Sequence, residues 1–306
     1  MRICSLLPSI TETLFELGLG NSVVAVTHEC DWPPEARTRT PVTRSRIRVE
    51  DQSSAQIDQQ VREHDGSLYD LDADALARLR PDLILTQSLC PVCAVDETTV
   101  RQFAKFLPGE PRVFSYHPTR LADVLAMIQE IGALTDAQPA ARRLTDRFGS
   151  EIERIRAEVA GLPVRPGVVC LEWIDPLFAC GHWTPELVEA AGGCELLGRV
   201  GQPSRRASQE ELVAANPDVV LIAPCGFDLV RTVQEAGCID WQTRWGELSA
   251  VRTGRVFATD GSAYFNCPGP RLIESLQILA EVLHPERFAG LAPAHSFQRI
   301  HSANRM

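Results

Sequence analysis

The chain has no apolar run near the ~20 residues that a helix needs to cross a bilayer. It has no excess of positive charge. Lys plus Arg total 30 against 40 Asp plus Glu, a formal net charge of −10, which argues against nucleic acid and anionic membrane surfaces as main partners. It has no G-x-S-x-G, no G-x-x-x-x-G-K-[ST] and no G-x-G-x-x-G, so hydrolase, nucleotide and dinucleotide readings lack their usual parts. No general acid–base pair stands out from spacing, and the expectation is a protein that is not an enzyme. Ahead of Arg2–Leu7, which already reads as a strand, there is no basic, apolar, small-residue leader. The expectation drawn from this is a cytoplasmic protein with no membrane insertion. The ten cysteines are scattered through 306 residues, and they are expected to be reduced thiols, buried or ligating.

What is present is an alternation of strands and helices around one long helical stretch. Leu121, Val124, Leu125, Ile128 and Ile131, then Leu144, Phe148, Ile152 and Ile155, fall at helical spacing on one face. Thr119 can cap the start, and Gly161 and Pro163 mark the stop. Pro139 fits the first turn of a second segment opening near Thr135 or Asp136. Some 40 residues of helix would span roughly 60 Å, the length of a strut between two lobes. The expected organisation is an N-terminal α/β lobe over 1–117, a backbone helix over 118–162 and a C-terminal α/β lobe over 163–306. Ser9 and Glu12 are spaced as a capping box for the first helix. A repeat supports two lobes. Leu76-Ala-Arg-Leu-Arg-Pro-Asp-Leu-Ile-Leu85 matches Leu212-Val-Ala-Ala-Asn-Pro-Asp-Val-Val-Leu221 at a fixed offset of helix, Pro-Asp and strand. Alternating strands and helices predict parallel sheets with ligand sites beyond the carboxyl ends of the strands.

The strand-end loops carry His28, Glu29, Cys30 and Asp31; Cys90 and Cys93; Glu172, Trp173, Cys180, His182 and Trp183; Cys225; and Tyr264. Thiol and imidazole with a carboxylate are the usual donors for zinc, iron or cobalt. Cys30, Cys90, Cys93, His28, His182 and Cys225 are therefore the candidate metal ligands. Aromatic neighbours suit a flat organic ligand, with Trp173, Trp183 and Tyr264 as its apolar faces. The C-x-x-C at Cys90 and Cys93 reads first as ligating, with inert thiols and then a redox dithiol as the alternatives. Cys4, Cys170 and Cys194 lie in or beside apolar elements and are expected in the core, while Trp241 and Trp245 sit in a long surface segment and are expected to pack.

Several motifs carry a resemblance. They are Ser5-Leu-Leu-Pro-Ser-Ile-Thr-Glu12 with Leu17-Gly18, Asp31-Trp-Pro-Pro34, Leu76–Leu83 with its Pro-Asp, Asp175-Pro-Leu-Phe178, Gly192-Gly193 and Pro270-Arg271. With them the chain resembles the substrate-binding proteins of vitamin B12 and iron-siderophore ABC transporters, and within them the cobalamin-binding branch. The resemblance implies two Rossmann-like lobes with parallel sheets joined by one long backbone helix. It also implies binding of a cobalamin, another corrinoid or a related small-molecule metal chelate in a cleft. By the same resemblance the loop from Glu29 to Trp32, the loop at Gln87, and Tyr264 contact the corrin, with Glu172, Trp173 and Trp183 added from the loops above. Asp74 and Glu210, each seven residues before the Pro of its repeat, match acidic residues that dock on an ABC permease. Two readings stand beside it: direct binding of a zinc, iron or cobalt ion by the cysteines and histidines, and a cysteine-based redox or metalloenzyme.

Overall fold

The structure is a computed structural model and describes residues 1–64, 67–88 and 97–300. The chain divides into two compact units. The first comprises Met1–Gln52, Gln56–Pro118 and Ala122–Arg147; the second comprises Ser53–Ala55, Thr119–Leu121 and Phe148–Met306.

In the first unit the strands are β1 (Ile3–Ser5), β2 (Val23–Val26), β3 (Thr40–Pro41), β4 (Thr43–Ser45), β5 (Tyr69–Leu71), β6 (Leu83–Gln87) and β7 (Arg112–Tyr116). The helices are α1 (Pro8–Glu16), α2 (Ser54–Glu63), α3 (Ala73–Leu79), α4 (Glu97–Ala104) and α5 (Leu121–Leu134), and α6 (Gln138–Val159) begins in this unit and ends in the second. One sheet has the order β3-β2-β1-β6-β7, and every pair in it is parallel. A strand order that reverses at β1/β6 opens a crevice at the carboxyl ends of those two strands. β4 and β5 pair antiparallel as a separate ribbon. Cys4, Ala25, Leu76, Ile84 and Val100 fill the core between sheet and helices.

α1 starts earlier than the expected capping box. Pro8 occupies the first helical turn, where its missing N–H costs nothing, and Leu7 is the cap without a side-chain bond. Ser9 and Glu12 are consequently buried inside the helix instead of capping it.

The expected strut is two helices. Asp136 takes a left-handed backbone with φ 57°, and Pro139 is the second residue of α6. A Cβ on Gly132 would lie 2.5 Å from the Cβ of Ala141, so only glycine allows the chain to fold back here. Gln129 Nε2 donates to Thr145 Oγ1 across the pair. α6 alone has 22 residues, and the division between the two units falls within it.

The strands of the second unit are β8 (Gly167–Trp173), β9 (Phe178–Ala179), β10 (Cys194–Glu195), β11 (Arg205–Arg206), β12 (Val219–Ile222), β13 (Val256–Thr259) and β14 (Phe297–Arg299). The helices are α7 (Thr184–Ala190), α8 (Gln209–Ala215), α9 (Leu229–Gly237), α10 (Trp241–Trp245), α11 (Ser249–Arg252), α12 (Leu272–Leu283) and α13 (Pro285–Phe288). The seven-stranded sheet runs β11-β9-β8-β12-β13-β14, with β10 also on β8. Its centre, β8-β12-β13, is parallel as expected, but β9, β11 and β14 are antiparallel, so this sheet is mixed. The weakly patterned tail supplies β14, because its residues face β13 on one side only. Trp241 and Trp245 are core residues, 2% and 3% exposed with ring centroids 5.0 Å apart, in a segment expected at the surface.

The repeat holds in the structure. α3 and α8 each end on a left-handed residue, Arg80 at φ 43° and Asn216 at φ 42°. Each is followed by Pro-Asp and then a buried strand, β6 or β12. In each copy the Asp side chain accepts the N–H that opens a neighbouring strand. Arg2 N donates to Asp82 Oδ2 at 2.7 Å, and Gly167 N donates to Asp218 Oδ2 at 2.8 Å. No helix among the described residues is long and apolar enough to cross a membrane.

Candidate ligand-binding site

At the carboxyl ends of the first unit's strands lie Ser5–Pro8, His28–Trp32, Gln87 and Tyr116. His28 follows β2 and is fixed from several sides. Its Nδ1 lies 2.8 Å from Thr43 Oγ1, its Nε2 lies 3.2 Å from Glu29 Oε1, and its ring packs 5.5 Å from that of Tyr69. Both ring nitrogens are thus engaged by protein groups. Cys30 is buried, and its Sγ lies 3.1 Å from Thr11 Oγ1 and 3.2 Å from Thr27 Oγ1. Burial pushes its thiol pKa up, against the pull of those two hydroxyls. Its sulfur is thus taken up by two hydroxyls inside the fold, and among the described residues Cys30 is not one of the donors that converge in a group of three. Trp32 stands exposed at 48%, and Glu29 is exposed beside it. Gln87 is buried at the end of β6, in register with Tyr116 of β7. Cys90 and Cys93 lie outside the described residues.

In the second unit the loops after β8, β12 and β13 come together. A Cβ on Gly261 would sit 2.2 Å from the carbonyl oxygen of Pro224, so glycine is what lets the β13 loop approach the β12 loop. Ser262 N donates to Phe227 O at 3.3 Å, and Asn266 Nδ2 donates to Ala223 O at 2.9 Å. Cys225 N donates to Glu172 O at 3.2 Å, tying the β12 loop to the end of β8. Trp173 is half-buried. Its Nε1 donates to Ser54 O at 3.1 Å, and its ring lies 5.1 Å from Phe227, whose other neighbour is the Arg231 guanidinium at 3.8 Å. Tyr264, half-buried in the turn Gly261–Phe265, has the Arg271 guanidinium 5.8 Å over its ring. Cys225 is exposed on the same loops. The Glu172 carboxylate accepts from Ser204 Oγ and from Gly181 N.

Two expected contacts are differently employed. Trp183 is 4% exposed, and its Nε1 donates to Phe265 O at 2.9 Å, so it packs beneath the Tyr264 turn. His182 has φ 50° and stacks on Trp183 at 5.5 Å. Its N–H donates to Gln202 O at 2.7 Å, which makes it a backbone-fixing residue of the β9–α7 connection. Asp74 and Glu210 are exposed in the first turns of α3 and α8.

Among the described residues the metal-type donors that converge in a group of three are not those expected. They are Cys170, Cys180 and Glu195, whose ligand atoms lie within 4.8 Å of one another. Sequence reading placed Cys170 in the core and passed over Glu195, because the three are joined only by strand pairing. Phe227 and Arg231, which support Trp173, were missed for the same reason.

Two α/β units with aromatic and polar side chains on strand-end loops define a binding protein of the doubly wound class. The chain belongs to the periplasmic binding protein family, whose model matches residues 3–263. It is therefore a substrate-binding protein and not an enzyme. A vitamin B12-binding protein of Vibrio cholerae is 22% identical over 90% of this chain and 86% of its own. An ABC transporter substrate-binding lipoprotein of Bacillus subtilis, YvrC, is 26% identical over 94% of this chain and 81% of its own. The apo structure of a periplasmic heme-binding protein from Roseiflexus superposes with a TM-score of 0.69 at 23% identity, over 93% of this chain and 98% of the other. These relatives correct the expectation of a cytoplasmic protein: they are named lipoprotein and periplasmic, and point to a place outside the cytoplasm. Cysteine number is a weak guide to compartment here. Cys4, Cys30, Cys170, Cys180 and Cys267 are buried, out of reach of solvent oxidants.

Proposed function

We propose that the chain binds a corrinoid, or a related flat metal chelate, on the strand-end loops and serves as the substrate-binding component of an ABC transporter. The observation that carries this reading is the convergence of the β8, β12 and β13 loops of the second unit. They present the partly exposed rings of Trp173 and Tyr264, each backed by an arginine-supported aromatic or by Arg271 itself. Such rings offer large apolar area at low entropic cost to a macrocycle. In the first unit, taken by itself, Trp32 and Glu29 are exposed on the β2 loop. The exposed acids Asp74 and Glu210 are the groups offered to a permease. Relatives named for vitamin B12 and for heme support a macrocyclic metal chelate as the ligand class.

Calorimetric titration with several cobalamins, and with hemin for comparison, tests the reading. Saturable cobalamin binding is expected, weakened on the order of tenfold in Tyr264→Ala and in Trp173→Ala. Absence of heat with every cobalamin, on folded protein freed of ligand, removes the corrinoid reading, and saturation by hemin alone replaces it.

A further inference from the structure

The edge partner of β8 changes along its length. β10 pairs with its first residues, Glu195 opposite Val168, and β9 pairs with its last, Ala179 opposite Leu171. Cys170 lies at the join. Its carbonyl accepts from Cys180 N at 3.0 Å, but its own N–H has no strand partner and donates to Glu195 Oε2 at 3.1 Å. The glutamate fills a missing rung of the ladder. Its other oxygen, Oε1, accepts from Leu197 N at 3.1 Å and Gly198 N at 3.0 Å. Three N–H groups occupy three of about four acceptor positions of a carboxylate, and the thiols of Cys170 and Cys180 are hydrogen-bonded to the same carboxylate, so its remaining capacity already faces the two sulfurs.

Cys170 and Cys180 are each 1% exposed. A Cβ on Gly198 would fall 2.6 Å from Cys180 Sγ, so glycine is what allows the backbone holding Glu195 to close over the thiol. Two sulfurs and a carboxylate oxygen, held by β8, β10 and the residue after β9, all lie within 4.8 Å of one another, close enough for one ion to be shared among them.

We infer that Cys170, Cys180 and Glu195 form a binding site for a thiophilic divalent cation of the zinc type, built into the edge of the second unit's sheet. Both thiols lose their protons to solvent as the two metal–sulfur bonds form, and the carboxylate supplies the third bond. A fourth position is left for water. Thiolate donors select against magnesium and calcium, which prefer an all-oxygen shell. The inference does not rest on the corrinoid reading.

The test uses the full chain carrying Cys90→Ser and Cys93→Ser, so that the C-x-x-C contributes nothing. Cobalt(II) added to reduced protein is expected to give a thiolate-to-cobalt charge-transfer band saturating at one equivalent, and zinc is expected to abolish it. Cys170→Ser, Cys180→Ser and Glu195→Gln are each expected to weaken binding by more than the roughly tenfold that loss of an outer-shell partner produces. Cys194→Ser, on the same strand as Glu195 but exposed, should leave it unchanged. Zinc should raise the melting temperature of the parent and of Cys194→Ser but not of the three ligand variants, and circular dichroism identifies any variant that is unfolded. If a serine variant fails to fold, the Glu195→Gln titration decides. The inference is overturned by absence of the band in folded parent, by a band that survives Glu195→Gln undiminished, or by a Cys170–Cys180 disulfide in freshly alkylated protein.

Discussion

The two copies of the repeat do the same structural work and end in different chemistry. In each, a short helix stops at a left-handed residue, a proline breaks it, and an aspartate pins the opening N–H of a neighbouring strand while the chain enters a buried strand of its own. Beyond that strand the copies diverge. β6 ends in buried Gln87, whereas β12 opens into Ala-Pro-Cys-Gly, over which the Gly261 turn closes. The repeat thus encodes scaffold, and the ligand-binding character is written in the loops beyond it.

The strongest test of that equivalence is in the two cores. Leu76 and Leu212 occupy matching positions and are 1% and 0% exposed. Leu76→Ala and Leu212→Ala should each cost about 2–5 kcal/mol, as buried leucine truncations do. Chemical denaturation followed by spectroscopy checks this, and a cost in one copy near zero breaks the equivalence.

A middle-sized effect separates the aspartates. Asp82 is exposed and makes its contact at the surface, whereas Asp218 is half-buried and also accepts from Ser249 Oγ at 3.2 Å. Asp218→Ala is expected to lose about 1–3 kcal/mol and Asp82→Ala about 0.5–1.5 kcal/mol, because an N–H left unpaired in the interior loses more than one that water can reach. Equal losses in thermal melts would mean that the two rungs are equally solvated.

The smallest effects should have opposite signs. Arg80 has φ 43°, a strained backbone for a residue with a long side chain, and Arg80→Gly is expected to stabilise by up to about 1 kcal/mol. Asn216 tolerates the same conformation, and its Oδ1 accepts from Ser249 N at 2.9 Å. Asn216→Gly is therefore expected to destabilise by about 1 kcal/mol through the lost bond. Melts of the two variants that move in the same direction would show that backbone strain does not distinguish the copies.

The Pro-Asp repeat, the strand–helix alternation and the break ahead of Pro139 were legible because each depends on residues a few positions apart. The local code of caps, prolines and hydrophobic period sets helix and strand without outside help. The loops that carry Trp173 and Tyr264 were legible for a related reason, since parallel strands deliver their following loops to one end of a sheet. The sequence by itself thus determined two α/β units and which loops to examine.

What only the tertiary structure decided is the partner of each side chain. Cys30 meets Thr11 and Thr27, and Trp183 meets the carbonyl of Phe265, partners that lie far from each in sequence or that no spacing announces. β14 exists because β13 presents an open edge to it. Cys170 and Glu195, 25 residues apart, become neighbours where the edge strand of β8 changes from β10 to β9. Strand pairing is a long-range choice, made by the whole sheet burying its faces at once, and no local pattern around either residue contains it.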